Sequence, residues 1–258
     1  MGGRHSHAFV GDTGGPSPVH TLPAHLKVVA LLGFVSAVVA APRQSVWPYA
    51  AFLALLVVVI AIAGLRVGGL ARKLAIEIPF VLFALLMPFI ATGPKVVVLG
   101  LAVSQPGLWA AWALLAKGTL GVLAALVLAN TTSPQDLLAG LERLRMPQQM
   151  VGIMGFMIRY AEVIWDQWRR MSVARASRGV VARTPASWRV LGTSLGGLFI
   201  RSYERGERVH LAMLSRGYNG TMPPVLGRDA AASRAAWAAV AGLPATAALV
   251  TAIAWVTL

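Results

Sequence analysis

The chain has 258 residues, of which 57% are hydrophobic and 12% charged, about half the charge expected of a water-soluble domain this long. Its net charge of +14 does not signal nucleic acid, because the basic residues fall between apolar runs rather than on a soluble, aromatic-studded fold. Cysteine is absent, which excludes disulfides, thiolate metal sites and cysteine nucleophiles.

Residues 1–23 contain Gly, Pro and His but no basic segment running into a short apolar core with a small-residue cleavage site, so this stretch reads as a retained cytoplasmic leader. Five apolar stretches follow: Ala24–Ala41, Val46–Leu65, Leu74–Ala91, Leu108–Ala129 and Ala235–Leu258. Each has roughly the 17–25 residues that cross a hydrocarbon core. Runs such as Leu53 to Ile60 do not alternate polar and apolar residues, so the spans are helical rather than strands of a barrel. The fold class read from this is an all-α integral membrane protein with about five transmembrane helices. Four of them lie within residues 24–130 and the last within 235–258. Pro79 and Pro88 fall inside the third span, and the run Val96–Val103 is too short to cross and is expected on or dipping into the far surface.

Arg66, Arg72 and Lys73 sit between spans two and three, and a dense basic set from Arg143 to Arg234 sits between spans four and five. The other connections carry only Arg43 and Lys95, which places the N-terminus and the long basic segment in the cytoplasm.

That segment, residues 131–234, reads as a platform of long amphipathic coupling helices. Ser133-Pro134 is an N-cap followed by proline at the first helical position, opening a short helix that stops before Pro147. A second helix, from about Gln148 to Arg178, carries Met150, Ile153, Met154, Met157, Ala161, Ile164, Trp165, Trp168 and Met171 as one apolar stripe. Arg159, Glu162, Asp166, Arg169 and Arg170 make it too charged for a simple span. The methionines read as adaptable core-filling side chains rather than metal ligands. A third helix, from near Pro185 to near Arg216, sets Leu191, Leu195, Leu198, Ser202, Val209 and Met213 on one face. On it Glu204 and Arg208 form an i,i+4 pair of the favourable order.

Both long helices end in Ala-x-x-Ser-Arg-Gly: Ala174, Ser177, Arg178 and Gly179 in the first, Ala212, Ser215, Arg216 and Gly217 in the second. The glycines read as left-handed residues that stop the helices and leave Arg178 and Arg216 protruding, where a guanidinium can dock bidentately on a carboxylate of another protein. A single such arginine would be explained by the helix dipole alone; two copies on two long helices favour a shared role.

The paired endings resemble the two Ala-Arg-Gly motifs of the transmembrane T component of energy-coupling-factor transporters. The whole chain resembles its CbiQ-type, cobalt-associated branch, through Ser17-Pro18-Val19-His20, Leu22-Pro23, Asn130 to Pro134 and Leu141 to Leu144 as well. The resemblance implies a transmembrane coupling subunit of an ATP-driven importer, with cobalt or nickel as cargo. It also implies two cytoplasmic ABC-type ATPase subunits, which bind ATP and Mg, and a separate substrate-binding membrane subunit. Arg178 and Arg216 become the coupling arginines, with Ala174, Ser177, Gly179, Ala212, Ser215 and Gly217 shaping the two ends. Serine stands at 177 and 215 where the family pattern has alanine, and it is small enough for the same groove. The chain has no Gly-x-x-x-x-Gly-Lys-[Ser/Thr] phosphate loop, so ATP chemistry is expected in a partner and this chain is read as non-catalytic, without cofactor or metal of its own.

Lys117 lies in the middle of span four, where an ammonium is costly; it reads either as a functional group or as one that snorkels or pairs with Glu77. Glu77 itself reads as an interfacial residue. His5, His7, His20 and His25 lack helical ligand spacing and read as non-ligands. Gly152, Gly155, Gly192, Gly196 and Gly197 would allow close helix crossing. A self-contained secondary transporter is the rival reading, but five spans give no matching halves. A membrane enzyme would need converging acids, histidines or metal ligands that the spans do not supply.

Overall fold

The computed structural model describes residues 17–98, 101–179, 185–220 and 234–257. Its helices are α1 (Pro18–Thr21), α2 (Ala24–Ala40), α3 (Trp47–Ala63), α4 (Val67–Lys73), α5 (Ile78–Ile90), α6 (Gln105–Thr131), α7 (Pro134–Arg143), α8 (Gln148–Ser177), α9 (Pro185–Leu214) and α10 (Arg234–Val256). A 3-10 turn, Leu74–Glu77, joins α4 to α5, and strands β1 (Lys95–Val98) and β2 (Leu101–Ser104) form one antiparallel hairpin. Contacts divide the chain into a unit of residues 1–140 with 227–258 and a unit of residues 141–226.

In the first unit, Gly68–Ile90, Gln105–Thr131 and Ala236–Val256 are each long and apolar enough to cross a membrane, and α2 and α3 are apolar helices of 17 residues. The chain is an all-α, multi-pass membrane protein. Its spans lack a polar face because lipid is as apolar as the bundle interior, so nothing requires one. The bundle core is Phe34, Val38, Phe52, Leu56, Leu120, Ala124 and Ala247, drawn from α2, α3, α6 and α10. The rings of Phe34 and Phe52 meet edge to face at 5.9 Å. Where α2 meets α10, a Cβ on Gly33 would stand 2.7 Å from the Pro244 Cβ, so only glycine fits that approach.

The helical stretch that carries the third apolar run begins ahead of it: it is helical from Val67 and is long and apolar enough to cross a membrane from Gly68, and Lys73 within it donates to Asn130 Oδ1 on α6 at 2.7 Å. Glu77, the last residue of the 3-10 turn, is 7% exposed. The 3-10 turn lies just ahead of Pro79, which has no N–H for the helical ladder and crowds the turn before it. Within the apolar run 96–103, residues 96–98 and 101–103 lie in the paired strands β1 and β2, with Lys95 opposite Ser104 and Val98 opposite Leu101.

The C-terminal end of α2 is closed by three other helices. Thr251 and Trp255 of α10 donate to the carbonyls of Ala37 and Ala40, at 3.0 and 2.9 Å. Lys117 of α6 donates to those of Val39 and Ala41, at 2.7 and 2.9 Å, and Tyr49 of α3 to that of Pro42, at 3.2 Å. Helix carbonyls that find no water inside a bundle need such partners. At its opposite end α2 places Lys27 against the carbonyls of Thr131 and His20. Ser133 caps α7 as the sequence indicates: its hydroxyl accepts the Asp136 N–H at 3.1 Å and donates to the Asp136 carboxylate at 2.6 Å.

The second unit is built on α8 and α9, each of 30 residues. Of the residues of α8 only Val151 is buried, so most of the predicted stripe is uncovered: Met150, Ile153, Met157 and Trp165 stay exposed. On α9, Trp188, Leu195, Phe199, Ile200 and Leu211 are exposed as well. Arg208 Nε donates to the main-chain carbonyl of Glu204 at 3.3 Å, in place of the expected carboxylate pair.

Candidate functional site: two arginine-bearing helix ends

The two endings predicted from the repeated motif have the same local structure. At the end of α8 the N–H groups of Arg178 and Gly179 bond the carbonyls of Arg175 and Ala176, and Gly179 has φ 76°. At the end of α9 those of Arg216 and Gly217 bond Met213 and Leu214, Gly217 has φ 84°, and the Tyr218 N–H returns to the Met213 carbonyl at 3.0 Å. That last bond closes the left-handed stop typical of glycine. A Cβ on either glycine would meet nothing within 4 Å, so the backbone angle, not space, selects glycine.

The serines match as well. Ser177 Oγ donates to the Ala174 carbonyl and Ser215 Oγ to the Ala212 carbonyl, both at 3.0 Å. Each hydroxyl thus folds onto its own helix, and the outward profile stays close to that of alanine. Ala174, Ser177, Arg178 and Gly179 are exposed, as are Ala212, Ser215, Arg216 and Gly217.

A neighbouring arginine plays a different part. Arg175 lies over the Trp168 ring, 4.6 Å from its centroid, and its Nη2 donates to Ser172 Oγ at 2.9 Å. Arg175 is folded down onto α8, which leaves Arg178 as the projecting cation among the described residues that close α8. The seven-residue spacing of Trp168 and Arg175, two helical turns, is the signal that would have found this clamp.

The ends lie far apart. Tyr218, just after Arg216, shares a cavity with Gln148 and Phe156 in the opening turns of α8, whereas Arg178 closes α8 at its other end. Thirty residues of helix make that separation on the order of 45 Å. The structure thus holds the two guanidiniums at opposite ends of one helix pair rather than in a single pocket, an arrangement suited to gripping two separate acidic sites.

The remaining sequence candidates fall elsewhere. Lys117 closes α2 and does not meet Glu77, whose Oε2 accepts from Thr119 at 2.9 Å while its Oε1 is buried with no hydrogen-bond partner. His5 and His7 lie outside the described residues. His20 is bonded through Nδ1 to Ser17 at 2.7 Å, and His25 is buried against Trp237. Burial, then the nearby Lys27 charge, hold the His20 imidazole below its ordinary pKa, against an opposing pull from the Asn130 main chain. Among the described residues no three His, Cys, Asp or Glu side chains are grouped to hold a metal. Gly192, Gly196 and Gly197 on α9 face open space.

Comparison with known proteins places this architecture. The sequence profile of the family described as CbiQ, cobalt transport protein, matches residues 15–225. The transmembrane protein EcfT of the energy-coupling factor transporter of Bacillus subtilis is 26% identical over 220 residues, 80% of this chain and 82% of that one. The cobalt transport protein CbiQ of Rhodobacter capsulatus is 26% identical over 148 residues, 55% of this chain and 61% of that one. The nickel permease LarQ of Lactiplantibacillus plantarum is 32% identical over 106 residues, 39% of this chain and 38% of that one. Three relatives at 32–34% identity, LarQ among them, are matched over only 33–38% of their own length. With a profile match spanning most of its length, both motif ends included, the chain belongs to the CbiQ family of cobalt transport proteins.

Proposed function

We propose that this chain is the transmembrane coupling subunit of an energy-coupling-factor importer of the cytoplasmic membrane, with cobalt or nickel ions as cargo. Two cytoplasmic ABC-type ATPase subunits bind Mg and ATP, and a separate membrane subunit binds the ion. This chain carries no chemistry of its own. Its N-terminus and the unit of residues 141–226 face the cytoplasm. When the ATPases approach one another they move Arg178 and Arg216, and the stiff helices α8 and α9 pass that displacement to the substrate-binding subunit.

The observation that carries the reading is the pair of matched, exposed arginine tips at opposite ends of α8 and α9. Large exposed apolar side chains along both helices, in a pair where α8 buries a single residue, agree with a surface made to be covered by another protein. The metal cargo rests on the names of the relatives CbiQ and LarQ.

The test is to change Arg178→Ala and Arg216→Ala, singly and together, and to measure ATPase association and cobalt or nickel uptake in intact cells. The reading expects normal membrane insertion, weakened ATPase association for each single change, and loss of uptake for the double. Normal uptake by the double variant would remove it.

A further inference from the structure

Beside the second arginine end, α8 and the residues after α9 enclose a half-open cavity of about 310 Å³. Its apolar lining is Ile153, Phe156 and the ring of Tyr218, and its amide lining is Gln148 and Gln149. Gly152 and Gly220 border the same space without filling it. The glutamines and Ile153 are exposed while Phe156 and Tyr218 are half-buried, so the two aromatic groups are the more enclosed part of the lining. Tyr218 is fixed from two sides: its N–H is bonded to the Met213 carbonyl, and its ring meets His210 edge-on at 6.4 Å.

We propose that this cavity is a socket for one projecting apolar side chain, leucine- to phenylalanine-sized, from the same ATPase subunit whose carboxylate grips Arg216. The proposal rests on the coupling reading above and adds the second contact of that docking site. Position argues for it: Tyr218 follows Arg216 by two residues, at most about 7 Å of chain, so a protein seated on the guanidinium covers the cavity mouth. Size argues for it too, since the volume lies at the bottom of the roughly 300–1,000 Å³ range of small-molecule pockets and the space is open on one side. Two half-buried aromatic groups behind a mixed rim of Ile153 and amides are a form that receives an anchor residue at a protein interface. A lone arginine–carboxylate contact at an exposed position contributes little by itself. A desolvated anchor beside it excludes water from that ion pair and fixes the partner's orientation about the guanidinium.

The test uses the full chain in native membranes. Gly152→Phe fills the cavity from within, Tyr218→Ala removes one wall, and a photo-reactive phenylalanine analogue at position 153 reports what enters. Expected are about tenfold weaker ATPase association for each substitution, the effect of one buried anchor, with unchanged helix content and membrane insertion. The adduct should consist of this chain and a peptide from a protein that contains an ATP-binding phosphate loop. Unchanged ATPase association in both substituted chains, with Arg216→Ala still weakening it, overturns the socket and leaves the coupling role standing. An adduct with lipid, with a substrate-binding membrane subunit or with this chain itself also overturns the socket. Unchanged association after Arg178→Ala and Arg216→Ala instead removes the coupling role on which the socket rests.

Discussion

The Lys117 ammonium stands 2.7 Å from the carbonyl oxygen of Val39 and 2.9 Å from that of Ala41, closing the C-terminal end of α2 from the middle of α6. A cation at the negative end of a helix, given two acceptors inside an apolar bundle, offsets most of the cost of placing it there. Lys117→Met keeps the length and removes the donors, so two carbonyls lose their partner. The expected cost is about 1–3 kcal/mol, seen as a lower thermal midpoint in detergent with ATPase association retained. Lost uptake at an unchanged midpoint would instead give the lysine a direct role in transport.

Gly179 and Gly217 adopt φ values of 76° and 84°, in the left-handed region where a side chain costs roughly 1–2 kcal/mol. Gly179→Ala and Gly217→Ala should lower the thermal midpoint only slightly, because both ends are exposed and can fray. They should weaken ATPase association more than that small loss explains, since a frayed end no longer aims its arginine. Titrating ATPase binding alongside unfolding separates the two effects.

The Glu77 carboxylate, at the end of the 3-10 turn that interrupts the third apolar helix, accepts from the Thr119 hydroxyl of α6 at 2.9 Å. A double-mutant cycle of Glu77→Gln and Thr119→Val should give a coupling of about 0.5–3 kcal/mol, as for two residues in direct contact. Strict additivity of the two changes would show that the bond does not hold the turn in place.

His20 titrates with a definite sign. Its pKa in the folded chain lies below the ordinary value, through burial and the Lys27 charge, so the unfolded chain takes up the proton more readily. Its contribution to stability is complete above about pH 6.5, declines as pH falls through the lowered folded value, and is constant below it. Lowering the pH from about 7.5 to about 5 should reduce the thermal midpoint, and His20→Gln should flatten that dependence. A slope identical in the His20→Gln variant would assign the effect to other groups.

The elements legible in the sequence were those with a strong local signature. The repeated Ala-x-x-Ser-Arg-Gly gave both helix ends and their left-handed glycines to within two residues, and Ser133-Pro134 gave the start of α7. Arg72 and Lys73 mark a connection by charge alone, yet the structure is helical there from Val67, and Lys73 finds its acceptor in the Asn130 oxygen, 57 positions away. The same long-range dependence hid the roles of Lys117 and Glu77, whose partners lie on other helices. The run 96–103 is apolar throughout apart from Gly100, so its period alone could not show that it forms two paired strands. Arg175 and Tyr218 went unmarked because their contacts appear only once α8 is built and α9 returns to it.

The placement of the arginines at opposite ends of the α8–α9 pair dictates how a load on them is resolved. Drawing Arg178 toward Arg216 pushes α8 along its axis in one direction and α9 in the other. A helix resists axial compression far better than bending, so the pair would answer by a relative axial shift, one shaft against the other. Under the proposed coupling, work delivered at the two tips would emerge as shear between α8 and α9, and any protein resting across both would be dragged at its two edges in opposite senses.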